Sequence, residues 1–373
     1  MKLILILTLL LFSSFLIPAQ AETRMDVISV GKGDAIIIQA EGCTVLIDTG
    51  KGYACGKLRR AFEELGITRL DAVFITHVDS DHIEGLQFLR QCGIQVDKWY
   101  ASPYFFEYKE KKHPLNKLGA NVIWLEAGDV VTIGEARFEV LAPLVKSEEE
   151  ENDNSLVMML TTPDGSILLT GDMEYPEEET LLATDADLKC DILKVSNHGD
   201  GDATSSAFIK RSQPGYAVIS TSSYEKPDTP DPGVMAALRA AGAEVFVTQD
   251  SDAVTAVMNS GSIAVSHTFW QDMPEYSGVS MTVDKENELF IITNGSGGDI
   301  SLESWYLYSE SGNELFIIPG GTLPANGSIT IGTKTSPEGR YDIYWDEKNV
   351  IANKKDDLIS LYDENGKLIY SAY

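Results

Sequence analysis

Six side chains able to hold a metal, His77, Asp79, Asp81, His82, Asp172 and His198, fall at the ends of apolar runs spread over more than a hundred residues. The densest group lies in THVDSDH (76–82), directly after DAVFI (71–75), which reads as a buried strand. Asp172 follows SILLT (166–170) and a glycine, and His198 follows CDILKV (190–195) closely. Strands that end together deliver their following residues to one edge of a sheet, where ligands bind. Imidazoles and carboxylates with open positions suit Zn, Mn or Fe, and the oxygen-rich balance leans towards Mn or Fe. Such metals bring bound water to a pKa of about 7, so the expected chemistry is hydrolysis by a metal-bound hydroxide. Asp also caps helices, and an isolated Asp-Asp-His would fit a cap. His77, Asp172 and His198 weigh against that reading.

The elements that must position these residues are legible in outline. DVISV (26–30), AIIIQ (35–39) and CTVLID (43–48) read as strands separated by Gly31, Gly33 and Gly42. Leu58, Phe62 and Leu65 have helical spacing and Gly66 closes that helix. Ile83, Leu86 and Leu89 repeat the pattern after the His/Asp cluster, which therefore occupies a strand-to-helix turn. A second strand-rich half starts near residue 121 and includes RFEVL (137–141) and LVMML (156–160). Helices are expected from Pro176 and from Asp231-Pro232 to Gly242, the latter followed by strand EVFVT (244–248). From residues 270–285 onward only strands and turns remain, with Asn-Gly pairs at 294–295, 326–327 and 365–366. Trp305 and Trp345 read as core of a separate β-sandwich.

A Lys at position 2, the apolar run LILILTLLLF (3–12) and Ala19-Gln20-Ala21 form a secretory-signal pattern over 1–21. The run is shorter than the roughly 20 residues of a spanning helix. The expectation is a secreted or cell-surface protein with no integral membrane segment once the signal is removed; an uncleaved anchor is the alternative. Two folded units are expected, over 22–272 and 280–373. The net charge of −28 opposes tight, charge-driven binding to DNA or RNA. A nucleic-acid substrate stays open, because divalent metals supply local positive charge. Export permits disulfides: Cys43–Cys55, close in sequence, is the first pairing to expect, and buried free thiols are the alternative. His113 and His267 sit outside the strand-end pattern and read as surface or structural histidines.

The 76–82 stretch resembles the signature of the metallo-β-lactamase fold, usually His-x-His-x-Asp-His, with Asp79 in place of the second His. That variant is similar to the extracellular domain of the ComEC competence-protein family. DVISVGKGDA (26–35), LIDTG (46–50), NDNSLV (152–157), LLTGD (168–172) and LKVSNHG (193–199) follow in that family's order. The resemblance covers about residues 25–270 and implies an α/β fold, an αββα sandwich. It implies two divalent ions, Zn or Mn, one of them weakly held. His77 and Asp79 would serve one, and Asp81, His82 and His198 the other, with Asp172 bridging. Asp81 and Asp172 become the catalytic candidates, Asp48 a support beneath the site, and Asp34 a support or substrate contact. Two departures stand out. Asn152 replaces a His of the wider fold, and Asn197 precedes His198 where the subgroup has His-His-Gly. In the C-terminal part DISLESWYLYS (299–309), FIIPGGTLPANG (316–327) and DDLISLYDENGK (356–367) resemble the lamin-tail family, an immunoglobulin-like sandwich. That likeness implies a binding or localising role towards a surface or extracellular target.

The resulting expectation is a secreted metal-dependent hydrolase, with phosphodiesters such as extracellular DNA as substrate. Hydrolysis of a small ester, amide or β-lactam is one alternative. A non-catalytic surface binding protein with a degenerate site is the other.

Overall fold

Strands that read as unbroken apolar runs are buried on both faces, and here alternate residues feed two different cores. Met25, Val27, Ile36, Ile38, Val45 and Ile47 point into one cluster; Ile28, Ile37 and Leu46 point into another. The computed structural model describes residues 22–105, 115, 121–224, 226–270, 275–351 and 357–373. The signal-like segment 1–21 and His113 lie outside the described residues.

Two sheets stack face to face. The first has eight strands, in the order Ser262–Thr268, Ala253–Asn259, Thr23–Ile28, Ile36–Ala40, Cys43–Ile47, Ala72–Ile75, Trp99–Ala101 and Val122–Trp124. The second has seven, in the order Glu244–Val247, Tyr216–Ile219, Ile192–Lys194, Gly165–Leu169, Val157–Thr162, Ala136–Ala142 and Val130–Ile133. Phe138, Met158 and Leu160 meet Val27, Ile38 and Phe74 between them. Helices Cys55–Glu64 and Leu86–Gln91 cover the outer face of the first sheet. Helices Ser206–Ser212 and Pro232–Ala240 cover the second with Phe208, Ile209 and Leu238. The layers are α, β, β, α.

Each sheet contains a parallel block: Cys43–Ile47, Ala72–Ile75, Trp99–Ala101 and Val122–Trp124 in one, Gly165–Leu169, Ile192–Lys194, Tyr216–Ile219 and Glu244–Val247 in the other. The blocks place Asp48, His77, Asp172, His198 and Ser220 just beyond strand C-termini. A bond from Leu156 N to Thr76 O (3.0 Å) ties the two sheets together at that edge.

All four cysteines are free, so the expected Cys43–Cys55 bridge does not form. Cys43 faces the core between the sheets, whereas Cys55 starts a helix on the outer side. Sequence proximity placed them together; the sheet lies between them.

Beyond residue 275 the described elements are strands alone. One four-stranded sheet joins Val279–Asp284, Leu289–Asn294, Ser328–Gly332 and Ile343–Tyr344; a second joins Glu314–Ile317, Tyr306–Ser309, Ile359–Tyr362 and Leu368–Ala372. Trp305 and Trp345 are buried in their common core with Phe290, Leu307 and Leu361. The alternation that turns Leu307 inward turns Tyr306 and Tyr308 outward, onto the helix-covered face of the first sheet.

Candidate metal centre

The turn after Ala72–Ile75 runs into the short helix Ser80–Ile83, with Asp79 at its N-cap. Asp81, His82, Asp172 and His198 each bring a ligand atom within 4.8 Å of the others. His82 Nε2 and His198 Nε2 lie 3.2 and 3.0 Å from Asp172 Oδ2, and 3.3 Å from each other. Asp81 Oδ2 is 3.6 Å from His198 Nε2. His77 and Asp79 stand outside this tight group. The His77 ring nevertheless adjoins that of His82, with centroids 4.2 Å apart.

The tautomers follow from the partners. His198 Nδ1 is 2.9 Å from the Ser220 carbonyl, which only accepts, so Nδ1 carries the proton. His82 Nδ1 is 2.7 Å from Asp48 Oδ2, which fixes the same tautomer. Thr76 Oγ1 spends its proton on Asp48 Oδ2 (2.6 Å) and therefore accepts from His77 Nδ1 (3.1 Å). Three imidazoles thus present Nε2 lone pairs. That of His77 is buried without a partner, as is Asp172 Oδ1.

Buried polar atoms normally find partners, and two facing imidazole lone pairs beside a carboxylate call for positive charge between them. Burial works against a charged His82, but Asp172 and Asp48 overcome it and raise its pKa well above the usual range, so Nε2 takes a second proton that a bound cation would displace. Burial likewise opposes ionised Asp172, yet His198 and His82 hold it well below the usual carboxylate range. Burial and the charge on His82 depress His77. A group set of three lone-pair nitrogens and two carboxylates fits a divalent cation by its chemistry.

The supports have their own partners. Asp48 also accepts from Thr76 N (2.8 Å). Asp34, wholly buried, accepts from Ser220 Oγ and pairs with the buried Lys194 ammonium at 2.9 Å. Burial raises the Asp34 pKa, but Lys194 and the two imidazoles outweigh it and the net shift is downward. Asp34 therefore sits behind His198 as a support, with its oxygens already used. Asn152 Nδ2 and Asn197 Nδ2 both donate to Glu174 Oε1, at 2.7 and 3.2 Å. Burial lifts Glu174 to about 7. His267 lies apart, bonded to Val247 O.

Sequence reasoning missed Lys194, Ser220, Thr76, Ser155 and Glu174. Ser155 Oγ stands 3.2 Å from His77 Nδ1 and accepts from Asp172 N (3.1 Å). Thr76 and Ser155 lay inside the motifs THVDSDH and NDNSLV, so their place beside candidate ligands was an available signal. Ser220 had none, because its role depends on a neighbouring parallel strand.

Residues 28–223, more than half of the chain, match the Metallo-beta-lactamase superfamily. The chain belongs to that superfamily, and so to the metal-dependent hydrolases. Residues 273–373 match the Lamin Tail Domain. The chain is 28% identical over 269 residues to ComE operon protein 3 of Bacillus subtilis, covering 65% of this chain and 34% of that protein. It is 26% identical to Competence protein ComA of Neisseria gonorrhoeae, covering 68% of this chain and 36% of the relative. It thus spans about a third of the length of these relatives. Among solved structures, the metallo-beta-lactamase fold protein YhfI from Bacillus subtilis aligns over 65% of this chain and 100% of its own, with 16% identity and a TM-score of 0.42.

Proposed function

We propose that this protein is a secreted or surface-held phosphodiesterase acting on DNA or related phosphodiesters. The observation that carries the hydrolytic part is the convergence of Asp81, His82, Asp172 and His198, with His77 Nε2 and Asp172 Oδ1 left buried and unpartnered. The phosphodiester part is supported by similarity to proteins named for competence. The secretory pattern at 1–21 supports export, and the C-terminal sandwich is a candidate for holding a surface target.

Asp81, His82, Asp172 and His198 would hold one divalent ion, with Zn or Mn the candidates; His77 and Asp79 would hold a second, weaker one beside Asp172. A divalent cation there supplies Lewis acidity, polarising a phosphoryl oxygen and acidifying water. The chain does the rest. Asp48 and Ser220 keep protons on the Nδ1 atoms of His82 and His198, so both Nε2 atoms stay available. Thr76 and Ser155 do the same for His77. Asn152 and Asn197 both donate to Glu174 and contribute neutral amides, Asn152 where the wider fold has an imidazole and Asn197 where the similar competence subgroup has one. That specific exchange favours, as the second reading, a site that holds metal without turnover.

The metal-loaded protein should cleave bis-(p-nitrophenyl) phosphate and single-stranded DNA and leave nitrocefin intact. Turnover of nitrocefin alone would reject the phosphodiester reading. Chelation should abolish the activity and lower the melting temperature, because a ligand bound only by the folded state stabilises it.

A further inference from the structure

The C-terminal sandwich reaches the metal-site turn. Tyr306 and Tyr308, on one face of strand Tyr306–Ser309, are buried in the same cluster as Leu58, Phe62, Leu86 and Phe88 of the hydrolase part. The Tyr306 hydroxyl donates to Tyr53 O at 2.6 Å. The Tyr308 hydroxyl is shared between Asn313 Oδ1 of its own domain (2.9 Å) and Glu84 Oε2 of the hydrolase part (3.0 Å), the oxygen that also accepts from Gly52 N (3.2 Å). Glu84 itself is buried. It follows helix Ser80–Ile83 directly, and its backbone N–H bonds Ser80 O.

Glu84 is the last link of a backbone clasp around the ligands. Thr49 N and Thr49 Oγ1 both bond the His82 carbonyl, at 2.7 and 3.0 Å. Gly85 N bonds Gly50 O (3.0 Å), Gly50 N bonds Asp34 O (2.7 Å), and Asp34 N bonds Asp81 O (3.1 Å). There is no slack in it: a Cβ on Gly85 would sit 2.1 Å from Thr49 O, and one on Gly33 2.6 Å from Asp81 O. The segment 48–52 and the turn 81–85 therefore move together or not at all. At the open end of this clasp, Glu84 joins Gly52, and the hydroxyl that completes the junction comes from the other domain.

We propose that Tyr308 of the lamin-tail domain is a positioning residue for the metal centre: through Glu84 it locks the turn that presents Asp81 and His82 against the loop that carries Asp48. The inference rests on the metal-binding reading above. It gives the C-terminal domain a role inside the hydrolase, besides any target it recognises. Tyr308 touches no candidate ligand, so its effect is on geometry and must show in metal affinity.

The test uses the full chain and titrates Zn or Mn into metal-free protein by calorimetry. Tyr308→Phe should weaken the tighter site about tenfold, the low end for supports outside the ligand shell. Glu84→Ala should do at least as much, whereas Glu84→Gln, which keeps an accepting oxygen, should stay near wild type. The double variant Tyr308→Phe/Glu84→Ala should be no weaker than Glu84→Ala alone, since coupled residues are not additive. Gln91→Ala is the control. It removes bonds from Gln91 to Leu315 O (2.8 Å) and from Ile317 N (3.2 Å) elsewhere in the same interface, and should leave affinity unchanged. Wild-type affinity in Tyr308→Phe overturns the proposal. So does an equal loss in Gln91→Ala, which would mean general loosening. Wild-type protein that takes up neither metal removes the metal reading itself, and this inference with it.

Discussion

Asp48 sits in the left-handed region, at φ 56, a conformation that Asp and Asn tolerate and most side chains do not. Asp48→Asn therefore fits the backbone and isolates one effect. Its amide nitrogen would face His82 Nδ1 as a donor, so the ring proton moves to Nε2 and blocks the lone pair. Zn affinity measured by calorimetry should fall about 10–100-fold; an unchanged value would disconnect Asp48 from the site. Glu177 gives a prediction of a different kind. Its two carboxyl oxygens are buried without partners, and burial, aided by Asp153, raises its pKa well above the usual carboxylate range. A raised carboxyl pKa stabilises the fold below the unfolded value, near 4.5, and that contribution is lost as pH rises through the folded value. Glu177→Gln does not titrate. Its stability relative to the parent should be level near pH 4.5 and rise towards neutrality, by at most about 1.4 kcal/mol per pH unit. Urea denaturation at several pH values checks it, and a pH-independent difference would contradict the burial argument. The ligand candidates were legible because His and Asp at three strand ends are unusual in themselves. Lys194 and Ser220 were not, since each is an ordinary residue until two sheets converge around it.

The helices divide by how much local chemistry marks them. Pro232–Ala240 was legible because Asp231 and Pro232 announce a start: Asp231 Oδ1 accepts from Gly233 N (2.7 Å) and Val234 N (3.1 Å). Removing this cap in Asp231→Ala should cost about 1 kcal/mol. The urea midpoint should shift with the slope unchanged. The Asp231 backbone N–H still bonds Gly199 O beside His198, so metal affinity should hold. Helix Ser206–Ser212 escaped notice. It has the Ser205 cap, with Phe208 N bonding Ser205 Oγ at 3.1 Å, but it is too short for its apolar residues to repeat. The turn carrying His198 was beyond sequence reasoning for another reason. Asn197 and His198 both take left-handed angles, φ 42 and 54, imposed by bonds to Glu174, Asp202 and Ser220 rather than by any glycine at those positions.

At the scale of the molecule, the chain read as two units, and the strands before and after residue 275 lie in different sheets. Their contact was illegible, because nothing local says which Tyr faces core and which faces a neighbouring domain. Two glycines record that contact. A Cβ on Gly52 would lie 2.6 Å from Tyr308 Cε2, and one on Gly56 would lie 2.5 Å from Gly366 N. Gly56 is in the first turn of helix Cys55–Glu64, where replacing Gly with Ala ordinarily gains up to about 1 kcal/mol. Here the obstacle is backbone of the facing hairpin, which cannot swing aside as a side chain would. Tyr306 and Tyr362, stacked with centroids 4.9 Å apart, would have to leave their place against Cys55 and Leu58 to relieve it. Burial of large aromatic side chains is worth more than the helix gain. The sign should therefore invert: Gly56→Ala lowers the melting temperature and opens the 275–373 part to limited proteolysis. If Gly56→Ala raises the melting temperature and protects that part equally, the two domains do not share the core described here.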